Sequence, residues 1–482
     1  MRLSEISAGT KAENRFDTEI TSLADRLDDI CGGSLFFAIK GEKFDAASYV
    51  KEAEKRGAAA VVSEIPLKTQ IPNIVVGNIR KTEALFAANF FGTNKSGMKF
   101  VGITGTNGKT TVAEMIFACL LENGRKAALT GTVKNRINEK IYESEYTTPT
   151  PILLHSFLAE AENAGCEYCV SEVSSHALKQ ERVAGINFDL GIFTNITPEH
   201  SDYHPTFADY KETKLRLFHS SKKTLANLDC EEGRPFFTFP DAKTFSLEDK
   251  NADYFCKNAV FSPFLGDRNN ISAVFETEFC EYPVLLRVVG RHNLSNALAA
   301  FAASEILGLQ PEKTLAALSS FKGAEGRCEP VGNKLGINIL IDYAHTPDAV
   351  FNILKTVKTF TSGRIIFVFG CGGNRDSAKR PEMGKIASEN ADIVIVTSDN
   401  PRHEDPYKIA DDIVSGISKD NFAVEINRYR AIRKAVFLAK RGDTVLISGK
   451  GHEKKQIVSN RIVKISDRET VFEILKELDY ED

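Results

Sequence analysis

Long apolar runs are missing from this 482-residue chain. No run reaches the roughly 18 residues that a membrane-spanning helix needs, and the N-terminus lacks the apolar segment of a secretory signal, so we expect no membrane insertion. The charges nearly balance, since 61 Lys and Arg against 65 Asp and Glu give a formal net charge of −4 at pH 7. That balance argues against a surface devoted to nucleic acid.

The chain also lacks the even number of cysteines that is typical of a disulfide-linked protein. The nine cysteines are an odd number scattered between Cys31 and Cys371, which argues against a disulfide framework and favours a reducing, cytoplasmic compartment. Cys166 and Cys169 form a C-x-x-C, but no second pair lies at zinc-ligand spacing. We therefore interpret them as thiols of a buried strand.

The chain does contain a repeated alternation of short apolar runs with helix-like patterns, which is typical of α/β folds. Its length suggests about three domains. We predict an N-terminal α/β domain over 1–98, a central domain with a doubly wound parallel sheet over 99–326, and a Rossmann-like domain over 327–482. Residues 230–290 break the alternation and predict an added β-meander. Ligands of such sheets bind at the carboxyl ends of the strands.

The stretch VGITGTNGKTTVAEMI (101–116) predicts a phosphate-binding loop. An apolar strand precedes the loop Gly105–Thr111, and a helical pattern follows it. Glycines let backbone N–H groups close around phosphate oxygens, Lys109 can neutralise phosphate charge, and Thr110 can hold Mg²⁺. The loop is shorter than the usual P-loop, whose first glycine would fall at Ile103. The alternative is a chance Gly-rich turn.

Together with SEVSSHALKQERV (171–183), FTNITPEHSDYH (193–204), YKETKLRLF (210–218) and IDYAHTPDAV (341–350), the shortened loop resembles the Mur ligase family. These are ATP-dependent amide-forming enzymes of peptidoglycan precursor synthesis. The resemblance covers nearly the whole chain. It implies that the first domain binds uridine and the central domain resembles a P-loop ATPase. ATP would be a co-substrate, two Mg²⁺ ions would be cofactors, and we expect a monomer.

The resemblance implies a catalytic and metal-binding set: Lys109, with Thr110, Glu172, His200 and Lys214 as metal ligands. Lys214 would carry a carbamate (N6-carboxylysine), because an ammonium would repel the cations whereas a carbamate supplies an oxygen ligand. From the sequence alone, Glu172 could be a surface acid and Lys214 an ordinary helix-surface lysine. Glu199 stands where Asp is usual.

The same resemblance implies two further sets of ligand-binding residues. The ATP-binding set is Gly105, Thr106, Asn107, Gly108, Lys109, Thr110, Thr111, Asn293, Asn296, Arg327, Asp342 and His345. The set for a UDP-linked muramoyl dipeptide is Asp25, Thr147, Thr148, Ser174, Gln180 and Arg182. The uridine-type loop usually reads D-S-R, but here it reads Ala24-Asp25-Arg26, which leaves the individual uridine contacts open.

The segment TSDNPRHEDP (397–406) indicates which amino acid is added. Its D-N-P-R resembles the motif of the step that joins meso-diaminopimelate to the D-glutamyl γ-carboxylate of UDP-MurNAc-L-Ala-D-Glu through an acyl phosphate. Diaminopimelate has a distal carboxylate that Arg can bind with two parallel hydrogen bonds, and lysine lacks it. The implied diaminopimelate-binding set is Arg375, Asp399, Asn400, Pro401, Arg402, Gly449 and Glu453. Asn374 replaces the Asp expected before Arg375, and D-N-P-R alone could be a plain turn.

Three alternatives stay open at this point. A folylpolyglutamate synthetase would share the loop and the carbamate but would not need D-N-P-R, G-K-G-H-E and the uridine-type loop together. A lysine-adding relative is closer, and Arg402 argues against it. A P-loop switch would bind a protein partner and make no product.

Overall fold

The computed structural model describes residues 1–10, 12, 17–41, 46–200, 203–262 and 271–479. The chain divides into two compact units, Met1–Phe245 with Ala299–Thr314, and Ser246–Leu298 with Leu315–Asp482. Parallel sheets dominate both units, which confirms the α/β fold class. The predicted domain boundaries after residues 98 and 326 stay a prediction.

The N-terminal segment forms a four-stranded parallel sheet in the order β1-β2-β3-β4. Its elements are α1 Leu3–Ile6, β1 Ser22–Ala24, β2 Ser34–Phe37, α2 Val50–Lys55, β3 Ala58–Ser63, β4 Asn73–Val75 and α3 Ile79–Phe91, with 3-10 turns at Leu27–Asp29, Ala46–Tyr49 and Thr93–Lys95. Asn78 caps the start of α3 by accepting a hydrogen bond from the Lys81 N–H, and Gly92 ends it with φ of 77°. The apolar face of α3 packs on the sheet.

The larger sheet of the first unit holds the phosphate-loop strand at its centre. The elements from residue 99 onward are β5 Lys99–Thr104, α4 Lys109–Glu122, β6 Ala127–Thr130, β7 Lys134–Ile137, β8 Lys140–Glu143, α5 Pro151–Asn163, β9 Tyr168–Glu172, α6 Ser175–Lys179, β10 Phe188–Phe193, α7 Phe207–His219, β11 Ser221–Asn227, α8 Arg234–Phe237 and β12 Lys243–Ser246. The strand order is β12-β11-β10-β5-β9-β6-β7-β8. Strands β12 to β6 run parallel, and β7 and β8 add an antiparallel hairpin. Cys166 and Cys169 are buried free thiols, as predicted.

The predicted β-meander is correct for only part of 230–290. Strands β13 Tyr254–Phe261, β14 Ile271–Glu276 and β15 Glu281–Leu286 form an antiparallel meander in the second unit. Residues 231–237 instead form a 3-10 turn and α8, and β12 pairs parallel with β11. Short apolar runs do not distinguish a strand from a helix, and here Phe236 is buried by stacking on Phe193 at 3.8 Å. Residues 263–270 of this segment lie outside the described residues.

The C-terminal segment, predicted to be Rossmann-like, is a mainly parallel sheet with helices on both faces. Its elements, with the two preceding helices, are α9 Arg291–Ile306, α10 Pro311–Ser320, β16 Glu329–Pro330, β17 Asn338–Asp342, α11 Pro347–Lys358, β18 Ile365–Phe369, α12 Lys379–Asn390, β19 Ile393–Val396, α13 Pro406–Val414, β20 Phe422–Val424, α14 Arg428–Leu438, β21 Thr444–Ser448, β22 Lys455–Val458, β23 Arg461–Lys464 and α15 Asp467–Asp479. The order is β16-β17-β21-β18-β19-β20, with only β16 antiparallel, and β22 and β23 form a separate hairpin.

Helices cover both faces of this sheet. Side chains of α11, α12 and α13 pack on one face, and those of α14 and α15 pack on the other. Thr346 and Asp405 cap the starts of α11 and α13, each of which begins with proline. Because β17 to β21 run parallel, their carboxyl ends meet at one edge of the sheet, where ligands of such sheets bind. No helix of the described ranges is long and apolar enough to span a bilayer.

Candidate active site

The phosphate-loop sequence folds into a tight strand–loop–helix connection between β5 and α4. Gly105 and Gly108 have φ of 150° and 87°, and a Cβ at Gly105 would lie 2.0 Å from Thr194 Oγ1. The residues that follow β10 support the loop: the Thr106 N–H donates to Asn195 O at 2.8 Å, and Thr194 Oγ1 donates to Asn107 O at 2.6 Å. The loop is therefore built against a neighbouring strand, with the N-terminus of a 14-residue helix at its end.

Two lysines converge on the carbonyl oxygens of this loop. Lys109 Nζ donates to Gly105 O and Thr106 O, both at 2.9 Å, and Lys214 Nζ donates to Gly105 O at 2.8 Å. Lys214 is 1% exposed and lies over the Tyr210 ring, one turn earlier on α7. The reading of Lys214 as a helix-surface lysine is therefore wrong.

Burial changes the chemistry of Lys214. Loss of water lowers the pKa of its ammonium well below the usual range, the Lys109 charge lowers it further, and Glu199 opposes both effects. The neutral amine is consequently favoured, and this is the form that can react with CO₂.

Glu172, at the end of β9, is a buried carboxylate surrounded by neutral donors. Thr110 Oγ1 and Thr132 Oγ1 donate to its Oε2 at 2.9 and 3.0 Å, and the Thr132 N–H donates to its Oε1 at 2.8 Å. It is 1% exposed and makes no ion pair within the described residues, so the surface-acid alternative is wrong. A carboxylate and a hydroxyl beside a phosphate loop suit a hard cation such as Mg²⁺.

His200 lies on the loop between β10 and α7, with φ of 58°. Its Nε2 is 3.7 Å from Glu199 Oε2, and its ring centroid is 4.8 Å from that of His176, which stacks on Tyr203. Residues 201 and 202 of this loop lie outside the described residues. In the described ranges no group of three or more His, Cys, Asp and Glu side chains could by itself hold a metal ion. Bound phosphates or a modified Lys214 would have to supply further ligands.

Five of the predicted muramoyl-dipeptide residues lie together beyond β9. Thr148 Oγ1 donates to Glu172 O at 2.8 Å and accepts from the Ser174 N–H at 3.1 Å. Arg182 Nη1 donates to Thr148 O at 2.7 Å, and Arg182 Nη2 donates to Gln180 Oε1 at 2.8 Å. Thr147 Oγ1 lies 3.1 Å from Thr132 Oγ1, whose proton is donated to Glu172. The set is thus joined to the buried Glu172 carboxylate.

The sixth predicted residue, Asp25, lies near a residue that the motifs did not indicate. This residue is Glu83, which is 3% exposed; burial and the nearby Asp25 raise its pKa to about 8, and Arg80 and Arg182 oppose this shift. Glu83 lies on the apolar stripe of α3, four residues from both Ile79 and Ala87. A charged residue on an otherwise apolar helical stripe is the signal that could have found it.

The predicted diaminopimelate residues lie in the second unit, around the ends of β19 and β21. Asp399 and Asn400 are buried, and Asn400 Nδ2 donates to Glu453 Oε2 at 2.9 Å. A Cβ at Gly449, whose φ is 109°, would lie 2.7 Å from Asp399 Oδ2. Lys450, a residue not predicted, is fully buried and donates to the same Glu453 oxygen at 2.8 Å.

Arg402 is held by backbone carbonyls beside this cluster. It has φ of 52°, its Nη1 donates to Gly373 O at 2.8 Å, and its N–H donates to Ile457 O at 3.0 Å. Pro401 packs so closely that a Cβ on Gly373 would lie 2.0 Å from Pro401 O. The D-N-P-R segment is therefore part of a packed site and more than a plain turn.

The neighbouring loop after β18 carries Asn374 and Arg375. Asn374 Oδ1 accepts from the His403 N–H at 3.1 Å, so the residue that replaces the expected Asp supports the D-N-P-R segment. Arg375 is exposed and makes no hydrogen bond or ion pair within the described residues, which leaves its guanidinium available to a ligand.

The remaining predicted nucleotide contacts also lie in the second unit. Asp342 accepts from the N–H groups of Cys328 and Ala344, each at 2.7 Å. The Arg327 guanidinium lies over the Tyr343 ring at 4.6 Å, and His345 Nδ1 is 2.8 Å from Tyr343 O.

Asn293 and Asn296 are buried at the start of α9. Asn293 Nδ2 donates to Val289 O at 2.9 Å, and Asn296 Nδ2 donates to Asn293 Oδ1 at 3.2 Å. Arg327, Asp342 and His345 thus lie together around Tyr343. The side-chain amides of Asn293 and Asn296 instead stabilise the start of α9.

A glycine loop at a helix N-terminus, a buried carboxylate beside it and a doubly wound C-terminal sheet define an α/β nucleotide-binding protein. Residues 103–304 match the Mur ligase middle domain, and residues 326–451 match the Mur ligase glutamate ligase domain. The chain belongs to the Mur ligase family. This confirms the resemblance seen in the sequence.

Individual relatives agree with this assignment. The UDP-N-acetylmuramoyl-L-alanyl-D-glutamate–2,6-diaminopimelate ligase of Aquifex aeolicus is 42% identical over 446 residues, covering 92% of this chain and 91% of that protein. Its Clostridium perfringens counterpart is 41% identical over 455 residues, covering 92% of both. A solved structure of a ligase with this name has a TM-score of 0.70 at 28% identity, covering 99% of both chains. MurF from Thermotoga maritima, solved with ADP, has a TM-score of 0.64 at 20% identity and shares the fold.

Proposed function

We propose that the chain is an ATP-dependent ligase that joins meso-2,6-diaminopimelate to the D-glutamyl γ-carboxylate of UDP-MurNAc-L-Ala-D-Glu in peptidoglycan precursor synthesis. The relatives named for this reaction, 36–42% identical over most of the chain, support it. The observation within the molecule that carries it is the Arg402–Asn400–Glu453 cluster. Both the guanidinium and the carboxylate contact Asn400, so groups of opposite charge lie where the two charged ends of an amino acid can bind.

In the first step, an oxygen of the D-glutamyl γ-carboxylate attacks the γ-phosphorus of ATP. The bond to the bridging oxygen breaks, and the products are an acyl phosphate and ADP. Backbone N–H groups of Gly105–Thr111 and the Lys109 ammonium bind the phosphates and stabilise the charge on the transferring group. The further ATP-binding residues of this proposal are Arg327, Asp342, His345, Asn293 and Asn296.

Mg²⁺, when bound, would neutralise charge on the transferring phosphoryl group, and two ions would be held by Thr110, Glu172, His200 and the carbamate of Lys214. The buried Glu172 carboxylate, paired only with neutral donors, and the favoured neutral amine of Lys214 fit this role.

In the second step, an amino group of diaminopimelate attacks the acyl carbon. The carbon–nitrogen bond forms, inorganic phosphate leaves with the bonding electron pair, and the nitrogen loses a proton. Arg402 and Arg375 bind carboxylates of the amino acid, and Glu453 binds its distal ammonium. Glu453 Oε2 is occupied by Lys450 and Asn400, and Oε1 is the oxygen for the substrate.

The muramoyl dipeptide is positioned by Thr147, Thr148, Ser174, Gln180 and Arg182. The enzyme acts as a cytoplasmic monomer in this proposal.

Phosphate release with each substrate omitted in turn tests the proposal. The complete mixture with Mg²⁺ should release phosphate and form a new amide detectable by mass spectrometry, and every omission should abolish sustained release. L-Lysine in place of diaminopimelate serves as the specificity control and should support little product. Comparable release from ATP alone would favour a P-loop switch, and equal use of lysine would contradict the amino-acid assignment.

A further inference from the structure

Lys450 is a buried cation beside the predicted amino-acid site, and the motifs gave it no role of its own. It is the second residue after β21, and its side chain is 0% exposed. Taking an ammonium out of water is unfavourable unless protein acceptors replace the lost water. The acceptors around Lys450 therefore indicate what this residue does.

The Lys450 ammonium donates to three acceptors from three parts of the chain. Its Nζ donates to Glu453 Oε2 at 2.8 Å, to Lys455 O at 2.6 Å and to Asn400 Oδ1 at 3.3 Å. An ammonium has three N–H donors, so these contacts use all of them. Lys450 has no donor left for a substrate group, and its effect on a substrate must pass through its partners.

Lys450 holds one oxygen of Glu453 and leaves the other free. Glu453 Oε2 also accepts from Asn400 Nδ2 at 2.9 Å, whereas Oε1 accepts no hydrogen bond within the described ranges. The Glu453 side chain is 31% exposed, so its carboxylate is partly accessible to a ligand. A carboxylate that is anchored through one oxygen presents the other in a fixed direction.

The same ammonium connects the two segments that carry the predicted recognition groups. Asn400 Oδ1 accepts from Lys450 and also from the Ile457 N–H at 2.9 Å. Arg402 Nη1, in turn, lies 3.5 Å from Asn400 O. The Arg402 guanidinium and the Glu453 carboxylate are thus held relative to each other through Asn400 and Lys450. Without the ammonium, the Glu453 carboxylate would keep only its contact with Asn400.

We propose that Lys450 is a positioning residue for diaminopimelate. It orients Glu453 and holds it against the D-N-P-R segment, so that Oε1 meets the distal ammonium of the amino acid while Arg402 meets a carboxylate. The inference rests on the proposed function, because it concerns the amino acid that this cluster recognises. Since Lys450 acts only through its partners, its effect should be confined to that substrate.

Steady-state kinetics of the full chain, with each substrate varied separately, test this inference. Lys450→Met keeps a long side chain but removes the charge and the donors. KM for diaminopimelate should rise about tenfold, because Glu453 loses a charge-assisted hydrogen bond that orients it. KM for ATP and for UDP-MurNAc-L-Ala-D-Glu should change less than about twofold. Lys434→Met is the matched control, since it makes the same substitution at an exposed lysine on α14 and should keep wild-type kinetics.

A double-mutant cycle shows whether Lys450 acts through Glu453. Glu453→Gln alone should lower kcat/KM for diaminopimelate at least about tenfold, because it removes the charge that binds the distal ammonium. Adding Lys450→Met to Glu453→Gln should cause no further loss, since the carboxylate that Lys450 orients is already gone. Two independent roles would instead multiply the two losses.

Unchanged diaminopimelate kinetics in a folded Lys450→Met protein would overturn the inference. Equal losses with all three substrates would also overturn it, because they would show a general effect on the fold. Multiplied losses in the double variant would overturn it even if Lys450→Met alone failed to fold. Absence of product from the wild-type chain with diaminopimelate would instead contradict the proposed function, and the inference with it.

Discussion

Lys214 and Lys450 are both removed from water, yet their surroundings differ. Lys450 Nζ contacts the Glu453 carboxylate, Asn400 Oδ1 and Lys455 O. Lys214 Nζ has the Gly105 carbonyl and the Tyr210 ring, with no carboxylate within 4.0 Å in the described residues. A buried charge is retained where it is paired and becomes neutral where it is not. At the scale of single residues, Lys450 is thus a structural cation and Lys214 a candidate for covalent modification.

Arg402 offers the sharpest test at this scale. Arg402→Ala should lower kcat/KM for diaminopimelate about 100-fold, because a charge-assisted, bidentate contact contributes about 3 kcal/mol. KM for ATP should change less than about twofold, since Arg402 contacts only the loops around the amino-acid cluster. Arg402→Lys should recover part of the loss, because it keeps the charge but lacks the planar donor pair.

Arg430→Ala is the control for this prediction, as Arg430 is an exposed arginine on α14. Steady-state kinetics with each substrate varied separately would make the comparison. Unchanged diaminopimelate kinetics in Arg402→Ala would show that another group recognises the amino acid.

Helices α14 and α15 are joined by two ion pairs of very different burial. Arg428 and Asp467 lie at the helix starts, are 0% exposed and are bonded at 2.7 and 2.6 Å. Arg433 and Glu477 form a 3.1 Å pair further along the helices, with side chains 46% and 42% exposed. The same two elements therefore offer a buried pair and an exposed pair for direct comparison.

Breaking the buried pair should destabilise the second unit strongly. Arg428→Met leaves Asp467 as an uncompensated buried charge and should lower the free energy of unfolding by about 3–5 kcal/mol. Arg433→Met should lower it by about 0–1 kcal/mol, because water screens the exposed pair. Urea denaturation followed by circular dichroism measures both, and equal losses would contradict this account of the α14–α15 junction.

At the scale of the whole molecule, a buried histidine connects the predicted first and central domains. His155 on α5 is 2% exposed, and its Nδ1 lies 2.6 Å from Oγ1 of Thr93, in the turn after α3. Its Nε2 is buried without a partner in the described part of the chain. Burial lowers the pKa of His155 to about 4.

The lowered pKa of His155 predicts that the free energy of unfolding decreases in acid. Between pH 6.5 and about 4 the unfolded chain binds a proton at His155 that the folded chain does not, so stability falls with pH across that window. The contribution reaches roughly 3 kcal/mol at its lower end. Chemical denaturation at pH 7, 6 and 5 should show a shallower loss in His155→Gln than in the wild-type chain. His403→Gln, at an exposed site, should keep the wild-type slope, and identical slopes in all three proteins would contradict the prediction.

Much of the site was predictable because its residues are close in sequence. The phosphate loop lies between one strand and the next helix, so its glycines, Lys109 and Thr110 need only local geometry to converge. The same holds for Asp399–Arg402, which follow one strand. Phe236 and Phe237 do not form the expected strand, because two adjacent aromatic residues fit a helix as well as a strand.

The partners of buried charges were not predictable in this way. Glu83 and the Arg428–Asp467 pair have no local signature beyond a charge in an apolar pattern. Arg428 and Asp467 are 39 residues apart in the sequence, and only packing decides which charged groups meet and how much water they lose.

By itself, the sequence determined the α/β class, the family and the chemistry available at each strand end, because these depend on local periodicity and on contiguous motifs. The tertiary structure alone decided that Lys214 is buried, that Glu172 has only neutral donors and that Glu83 is removed from water. The reason is that ionisation depends on desolvation and on neighbouring charges, and both arise only when distant segments pack together.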